Sequence, residues 1–266
     1  VLFTSIEPGK VQNCKFYSVI DQRFPEKRLV GRNRQLFDLF TLLKSSQKIV
    51  KLYGPTGIGK TALARQLANY LYVRNHFRYK IALIELTRVN SVSTLLSKIF
   101  NEIELTRDMN TFCEAVRTKE VLYILEDCDL FIDNNRVEFS ESLNKLIKST
   151  KNVKFLLLLE NNIDLGLQEA SQELKGLHPI DAAKLLLLNT PLEKISPMKY
   201  RSIEELKNTK LFKEHYLQIT TSTLWWISQN LTQGQSFEKI QSQLLEKFMA
   251  SNKEDQSINL IESTIR

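Results

Sequence analysis

One stretch of this chain has the residue types and the spacing that bind phosphate groups. It consists of Gly54, Pro55, Thr56, Gly57, Ile58, Gly59, Lys60 and Thr61. Two glycines separated by four residues and followed by Lys and Thr form the pattern of a nucleotide triphosphate site. Glycines let successive backbone N–H groups wrap around phosphate oxygens, because side chains would block that approach. We therefore expect Lys60 to reach the β- and γ-phosphates and Thr61 to hold Mg²⁺.

The segments on either side of this loop also fit such a site. Residues 49–53 predict a short buried strand before the loop, and Leu63, Leu67 and Leu71 recur at helical spacing after it. A helix that begins at Thr61 would point the positive end of its dipole at the bound anion, and Ala62 at its start is expected among the nucleotide-binding residues. A glycine-rich turn without a ligand would not account for a strand and a helix on the required sides.

A second candidate element supplies carboxylates. The apolar run 121–125 predicts a strand, and it ends in Glu126, Asp127, Cys128 and Asp129. In open α/β sheets the ligands bind at the carboxyl ends of the strands. We therefore expect Glu126 and Asp127 to bind the metal and to act in catalysis by orienting the attacking water. Cys128 is interpreted as a small buried residue rather than a reactive thiol, since no histidine lies near it in the sequence.

Length and composition limit the classes of protein that remain. The 266 residues, 42% of them hydrophobic, suffice for one large domain and a smaller one. No apolar run is long enough to cross a bilayer, so no membrane association is expected. The chain begins with Val and shows no signal peptide, and its three cysteines lack metal-ligand spacing. These features favour a fragment of a longer intracellular protein in a reducing compartment, the cytoplasm.

The charge balance raises the question of a nucleic-acid partner. The formal net charge is +7 and the sequence pI is about 9.2. The basic residues are spread along the chain and alternate with acidic ones, which is typical of a solvated surface. Bound nucleotide phosphates would offset part of the excess. A nucleic-acid partner is therefore weighed but not favoured.

The order of strands and helices predicts the fold. Residues 80–86 and 153–159 predict two further strands, and amphipathic helices alternate with the strands. This alternation indicates a three-layer α/β sandwich with a mostly parallel sheet, the P-loop NTPase fold. From residue 176 onward the pattern is helical. We expect a lead-in segment at 1–28, a nucleotide-binding α/β domain at 29–170, and a helical lid subdomain at 171–266.

At this point the chain resembles a known family over about residues 28–248. The family is that of the signal-transduction ATPases with numerous domains (STAND), and within it the NB-ARC type of apoptosome and plant immune-receptor switches. The resemblance rests on matches in the same order along the chain: Leu29 to Arg32 before a helix, His76 and Phe77 after the phosphate loop, Ser91 to Phe100, Leu174 to Leu177, and Asp181 to Leu186.

The resemblance implies a function. Val30, Gly31 and Arg32 would lie near the adenine, and the helical part would cover a nucleotide bound at the strand ends. Members of the family are switches in which ADP holds a closed form, while exchange for ATP permits opening and self-association. The chain would then be an ATP/ADP-binding switch module whose partners are nucleotide with Mg²⁺, flanking domains of a longer chain, and further copies of itself.

Three departures from the family pattern bear on hydrolysis. The usual pair of aspartates is replaced by Glu126 and Asp127, where the resemblance gives Glu126 to the metal and Asp127 to the water. The segment 159–162 offers no cation where the family often has a phosphate-sensing arginine, so either Asn161 acts as a neutral sensor or this sensing function is lost. Glu160 would repel a γ-phosphate if it pointed inward. The Gly-Leu-Pro motif expected after Ile219 is replaced by residues 220–224. Together these changes predict slow ATP hydrolysis at most.

Two alternatives to the switch stay open on the sequence. One is an ATPase of the related AAA+ type that acts on DNA, which the positive charge favours. The other is a degenerate domain that binds nucleotide without hydrolysing it. Retained ADP in the purified protein would favour a switch over a freely cycling motor.

Overall fold

The structure is a computed structural model that describes residues 29–103, 108–195 and 202–249. The predicted lead-in at 1–28 lies outside the described residues. The first part of the chain folds as α1 (Asn33–Lys44), β1 (Ile49–Tyr53), α2 (Lys60–Val73), β2 (Lys80–Glu85), α3 (Val92–Asn101), α4 (Met109–Val116), β3 (Val121–Glu126), α5 (Cys128–Ser149), β4 (Val153–Leu159) and β5 (Glu169–Glu173). The remainder is helical: α6 (Pro179–Asn189), α7 (Leu192–Ile195), α8 (Ile203–Lys207), α9 (Lys210–Glu214), α10 (Thr221–Thr232) and α11, which covers 237–249.

The five strands form one parallel sheet in the order β2-β3-β4-β1-β5. Val50 of β1 pairs with Leu156 of β4, and Val121 of β3 pairs with Val153 of β4. Strands β3 and β4 are almost entirely buried, as expected when helices cover both faces of a parallel sheet. The predicted fold class is confirmed: this is an α/β P-loop NTPase fold followed by a helical region.

The edge strand β5 did not appear in the sequence analysis. Its sequence, Glu-Ala-Ser-Gln-Glu, has neither an apolar run nor a regular alternation. A buried ion pair accounts for its place, since Lys51 of β1 contacts Glu169 with 2.5 Å between Nζ and Oε1. Lys51 Nζ also donates to the carbonyl of Ile163 at 2.8 Å. A long-range pairing of this kind leaves no periodic signal in either segment.

The core beside the sheet is built on aromatic side chains. Tyr123 of β3 is fully buried and stacks on Phe155 of β4, with 5.6 Å between ring centroids. Its hydroxyl donates to the carbonyl of Ile99 in α3 at 3.1 Å. Satisfying this hydroxyl lets a tyrosine lie in an apolar core without a desolvation penalty. The bond therefore fixes α3 against β3.

The described residues divide into two compact units. One contains the residues up to Pro55 together with Lys60–Leu174. The other contains Thr56–Gly59, from the phosphate loop, together with the residues from Lys175 onward. The functional division at residues 170 and 171 stays a prediction. In the described residues, no helix has the length and apolar character needed to cross a lipid bilayer.

The second unit has a core of its own. Phe212 of α9 and Phe237 of α11 are buried and lie parallel, with 6.5 Å between ring centroids. Pro179 occupies the first turn of α6, where its missing N–H costs no hydrogen bond. Gly176 is required by close packing, because a Cβ there would lie 2.5 Å from the carbonyl oxygen of Tyr216. The unit therefore has the apolar contacts of an independent core.

Candidate nucleotide-binding site

The phosphate loop joins the end of β1 to the start of α2. The N–H of Gly54 donates to the carbonyl of Leu159 at 3.1 Å, which fixes the entry of the loop to the end of β4. Ile58 is fully buried, whereas Pro55 and Thr56 are exposed. The loop is thus anchored at its entry and at its middle, with its exposed residues between these points.

Two glycines of the loop have backbone angles that other residues rarely adopt. The φ angle is +74° at Gly57 and +102° at Gly59. A side chain at either position would strain the backbone. At Gly57 it would also collide with a neighbour, since a Cβ would lie 1.9 Å from Ser222 Oγ. The structure therefore gives a local reason for two of the glycines in the motif.

Lys60 folds back on its own loop. Its Nζ donates to the carbonyl of Gly54 at 2.6 Å and to that of Pro55 at 3.2 Å. Burial lowers the pKa of Lys60, while the carboxylates of Glu160, Asp129 and Asp127 act in the opposite direction. A bound phosphate would offer Lys60 charged oxygens in place of these neutral carbonyls. An ammonium forms stronger hydrogen bonds with charged oxygens than with neutral ones.

Glu126 lies at the buried end of β3, next to α2. The Thr61 hydroxyl lies near its carboxylate, and its Oε2 lies 3.8 Å from Arg65 Nη2. Burial raises the pKa of Glu126, and the Thr61 hydroxyl and the charge of Arg65 partly counter that rise. Arg65 was missed in the sequence analysis. Its signal was available, since it lies one helical turn after Thr61 and so on the same face of α2.

This arrangement provides a test of whether the residues fit Mg²⁺. The Oε1 atom of Glu126 is buried and accepts no hydrogen bond from any described residue. A buried carboxylate oxygen without a partner is costly, and a hard cation is one group that would satisfy it. The Thr61 hydroxyl lies beside it as a second oxygen ligand. Thr61 and Glu126 therefore fit a magnesium ion, and their carboxylate and hydroxyl oxygens are the donors it prefers.

Asp127 follows Glu126 in an unusual conformation. It has φ of +55° and ψ of +51°, it is exposed, and it precedes the first residue of α5 without capping that helix through its side chain. The left-handed region is costly for most residues, although Asp and Asn adopt it more readily. The turn places an exposed carboxylate directly after a buried strand, where it is accessible to solvent.

Asp129 holds the end of β4 in place. Its two carboxylate oxygens accept from the N–H of Glu160 at 3.0 and 2.8 Å, and Oδ1 also accepts from the N–H of Asn161 at 3.2 Å. In the sequence Asp129 belongs to the acidic cluster after β3, and no pattern indicates a separate role for it. Asp129 thereby positions the segment 159–162, where the family often has a phosphate-sensing arginine. The charged side chain in this segment is that of Glu160.

Glu160 acts electrostatically on Lys60, the lysine that is expected to bind phosphate. Among the carboxylates near Lys60, it raises the pKa of that lysine the most, ahead of Asp129 and Asp127. The negative charge of Glu160 therefore reaches the position of the Lys60 ammonium. A γ-phosphate attracted to Lys60 would meet this charge, as the sequence analysis expected for an inward-facing Glu160.

The residues expected near the adenine form a turn before α1. Gly31 has φ of +70°, and Arg32 is buried at the N-cap position of α1. In the first turn of α1 the carbonyl of Gln35 accepts from Gln172 of β5 at 3.3 Å. Val30, Gly31 and Arg32 thus precede a helix whose first turn is attached to edge strand β5. The contact of Val30, Gly31 and Arg32 with adenine stays a prediction. Ala62 is exposed in the first turn of α2, and its contact with nucleotide also stays a prediction.

The phosphate loop also contacts the start of α10, within the second compact unit. The carbonyl of Gly57 accepts from the N–H of Ser222 at 3.0 Å, from the Thr221 hydroxyl at 2.6 Å and from the Ser222 hydroxyl at 3.1 Å. We call these three bonds the Gly57 tether. The residues that replace the Gly-Leu-Pro motif therefore bind the loop directly, which the sequence did not reveal.

Cys128 is not a reactive thiol. It is fully buried, its Sγ donates to the carbonyl of Leu125 at 3.2 Å, and burial raises its pKa far above the usual range. A thiolate, the reactive form, is therefore disfavoured. In the part of the chain that the structure describes, no group of three or more His, Cys, Asp and Glu residues could hold a metal ion.

Comparison with known proteins supports an ATPase domain. Residues 43–165 match the family model described as AAA domain. The pachytene checkpoint protein 2 homolog of Xenopus tropicalis is 38% identical over 88 residues, which cover 32% of this chain and 20% of that protein. The match thus spans a fifth of the length of this curated relative. Residues 43–165, which contain the phosphate loop and β3, are thus similar to an AAA-type P-loop ATPase domain.

Two solved structures are also similar. One is a STAND protein with a tetratricopeptide repeat sensor from Pyrococcus horikoshii, which has 24% identity and a TM-score of 0.43, over 70% of this chain and 28% of its own. The other is Drosophila ORC bound to DNA, which has 15% identity and a TM-score of 0.47, over 74% of this chain and 54% of its own. An AAA-type domain implies nucleotide binding, usually with Mg²⁺.

Proposed function

We propose that this chain is an ATP/ADP-binding switch module of a larger intracellular protein, with slow Mg²⁺-dependent ATP hydrolysis that drives a conformational change or self-association. The Gly57 tether is the observation that carries this proposal. It joins a phosphate-loop carbonyl to the first turn of α10 by three hydrogen bonds. Any shift of the loop on phosphate binding therefore acts directly on that helix.

The chain's own groups account for nucleotide binding. Lys60 would exchange the carbonyls of Gly54 and Pro55 for phosphate oxygens, and the loop N–H groups would surround the same anion. Thr61 and Glu126 would hold Mg²⁺, which when bound neutralises phosphate charge. The partnerless Glu126 Oε1 supports this role, because it would gain a ligand. Each of these groups would gain a partner when nucleotide and Mg²⁺ bind to the loop.

Slow turnover follows from two charges near the site. Asp127 is the carboxylate that we expect to orient a water molecule, yet it is exposed and lies in a strained turn. Glu160 places negative charge near Lys60, where a cation would stabilise the transferring phosphoryl group. An oriented water without a compensating cation supports hydrolysis at a low rate. A low rate suits a switch, since it lengthens the lifetime of the ATP state.

The switch is tested by removing hydroxyl donors from the tether. Wild-type protein should change its size or self-association between ADP and a non-hydrolysable ATP analogue, as measured by light scattering. The double variant Thr221→Val/Ser222→Ala should keep ADP affinity within about threefold but lose most of the nucleotide-dependent change, since only the Ser222 N–H remains.

The matched control removes a hydroxyl that makes a helical bond away from the loop. Ser242→Ala loses the bond from Ser242 Oγ to the carbonyl of Glu238 and should respond as the wild type does. Mass measurement of nucleotide released from purified protein gives an independent result, and retained ADP is expected. If wild-type protein scatters light equally with both nucleotides and retains none, the switch proposal is wrong.

The two acidic residues should have separable effects. Asp127→Asn should lower the ATP turnover rate by about a hundredfold while ADP affinity is largely kept, because Asn tolerates the left-handed backbone. Glu126→Gln should chiefly raise the Mg²⁺ concentration needed for binding. Steady-state ATPase assays and Mg²⁺ titrations measure both. The reverse pattern would exchange the two roles, and a wild type without turnover would favour the non-hydrolysing alternative.

A second candidate function is an AAA+ ATPase that acts on DNA. The observation that favours it is the match of residues 43–165 to an AAA domain, which is broader than the NB-ARC type. A DNA-acting ATPase should hydrolyse ATP faster with DNA at physiological salt, whereas the switch should not respond. Strong stimulation by DNA, without any nucleotide effect on size, would favour this second function.

A further inference from the structure

The amino-terminal edge of the sheet, opposite the phosphate loop, carries a basic groove. Two cavities of about 260 and 600 Å³ lie there and share Lys44 and Glu120 in their linings. We call the two together the amino-edge groove. Among the described residues that line it, six are basic and Glu120 is the one carboxylate; the basic residues are Lys44, Lys48, Arg78, Lys119, Lys151 and Lys154.

The parallel topology explains why these charges meet. They come from the segments before β1, β2, β3 and β4 and from the second residue of β4. In a parallel sheet all strands begin at the same edge, so four segments that are far apart in sequence become neighbours. The basic residues alternate with acidic ones along the chain, yet the fold collects cations at this edge.

The negative C-terminal ends of nearby helices balance only part of the positive charge in the amino-edge groove. The helices α1, α2, α4 and α5 each end shortly before one of these strands, and a helix C-terminus carries roughly half a negative charge. Lys48 serves such an end, since its Nζ donates to the carbonyl of Thr150 at 2.6 Å, just after α5. Four helix ends together contribute about two negative charges, which is well below the six cations of the groove.

The cations are close enough to disfavour one another. Burial lowers the pKa of Lys154, and the charges of Lys44 and Lys48 lower it further. His76 behaves in the same way: burial lowers its pKa first, then Lys44, and its Nδ1 lies 3.4 Å from Lys44 Nζ. Clustered like charges cost stability unless an anion neutralises them. The groove is therefore electrostatically suited to a polyanion.

We propose that the amino-edge groove binds single-stranded nucleic acid, with the phosphates on its lysines and bases against its aromatic rings. Tyr79 and His76 are among the residues that line the larger cavity, and the ammonium of Lys119 lies 3.9 Å from the Tyr79 ring centroid. Cationic grooves with aromatic faces are typical of proteins that bind single strands.

Competing partners fit these features less well. An acidic peptide would use the lysines, but its carboxylate side chains have no flat face for the rings. A duplex keeps its bases stacked inside, so the rings would meet none of them. An anionic membrane is recognised by a surface with projecting apolar side chains rather than by a concave groove. The inference concerns the edge opposite the nucleotide site and does not depend on the switch proposal.

The test measures the binding of a fluorescent oligothymidine to the full chain. The oligothymidine has roughly 20 nucleotides, which is more than one single-strand-binding fold usually covers. Fluorescence anisotropy from about 50 to about 200 mM salt should show a steep loss of affinity. The triple variant Lys44→Gln/Lys119→Gln/Lys151→Gln should bind roughly 10- to 100-fold more weakly. The slope of log affinity against log salt should fall by about two, as three lost phosphate contacts predict.

The matched control removes the same charge elsewhere. Lys184→Gln/Lys210→Gln/Lys239→Gln changes three exposed lysines of the second unit and should bind oligothymidine as wild type does. Equal losses in both triple variants, or no binding by wild type near physiological salt, would overturn the proposal. Preferential binding of poly-glutamate or of phosphatidylserine vesicles would also overturn it. Circular dichroism and ADP titration of each variant check that the fold and the nucleotide site are intact.

Discussion

Lys60→Ala is expected to lower the affinity for ATP and ADP by about a hundredfold while the protein stays folded. Among the described residues, the hydrogen-bond partners of Lys60 Nζ are the loop carbonyls of Gly54 and Pro55, and the side chain is half-buried. A charged hydrogen bond to phosphate contributes up to about 3 kcal/mol, which corresponds to about a hundredfold in the dissociation constant. Because these partners lie in the loop rather than the core, the loss should be confined to ligand binding.

Titration with fluorescent ADP and ATP measures this effect, and circular dichroism checks the fold. Lys184→Ala is the matched control, because this lysine is exposed on α6 in the second unit. Its nucleotide affinities should equal those of wild type. Unchanged affinity in Lys60→Ala, together with normal folding, would remove the phosphate-loop assignment and with it the proposed function.

Lys51→Met is expected to destabilise the protein by roughly 3–5 kcal/mol. Lys51 is buried in β1, and its loss would leave the Glu169 carboxylate buried without its ion partner. Removing one member of a buried pair has this cost because the remaining charge is uncompensated. Replacing both members with apolar residues, in Lys51→Met/Glu169→Leu, should recover much of the stability.

Urea unfolding followed by circular dichroism gives the free energies for this comparison. Lys151→Met serves as the control, since Lys151 is exposed just before β4, and it should change stability by less than about 0.5 kcal/mol. A single variant as stable as the wild type would show that the pair does not hold β5 to β1. A double variant less stable than Lys51→Met would show that the apolar replacements themselves are not tolerated.

The phosphate loop and the strands beside it were predictable because their signals are local. A strand at 49–53, a glycine-rich loop and a helix after Lys60 are adjacent in sequence, and each has its own pattern. The strand ending at Glu126 was predictable for the same reason, since an apolar run followed by acids is contained in a few residues. Adjacent residues constrain one another directly, so their local structure can be predicted without knowledge of the rest of the fold.

Contacts between distant segments could not be predicted in this way. The Lys51–Glu169 pair, the bonds from Asp129 to the end of β4, and the Gly57 tether join residues with no shared sequence pattern. Each depends on how the strands and helices pack. These contacts decide where β5 pairs, where Glu160 lies, and which helix the loop holds.

The sequence by itself determined the fold class and the position of the phosphate loop between a strand and a helix, because glycine conformations and hydrophobic periodicity act over a few residues. Only the tertiary structure decided that six cations from four separate segments share one groove. The physical reason is that a parallel sheet brings the beginnings of all its strands to one edge. Charges spread along the chain thereby become a concentrated positive surface, opposite the edge where the phosphate loop lies.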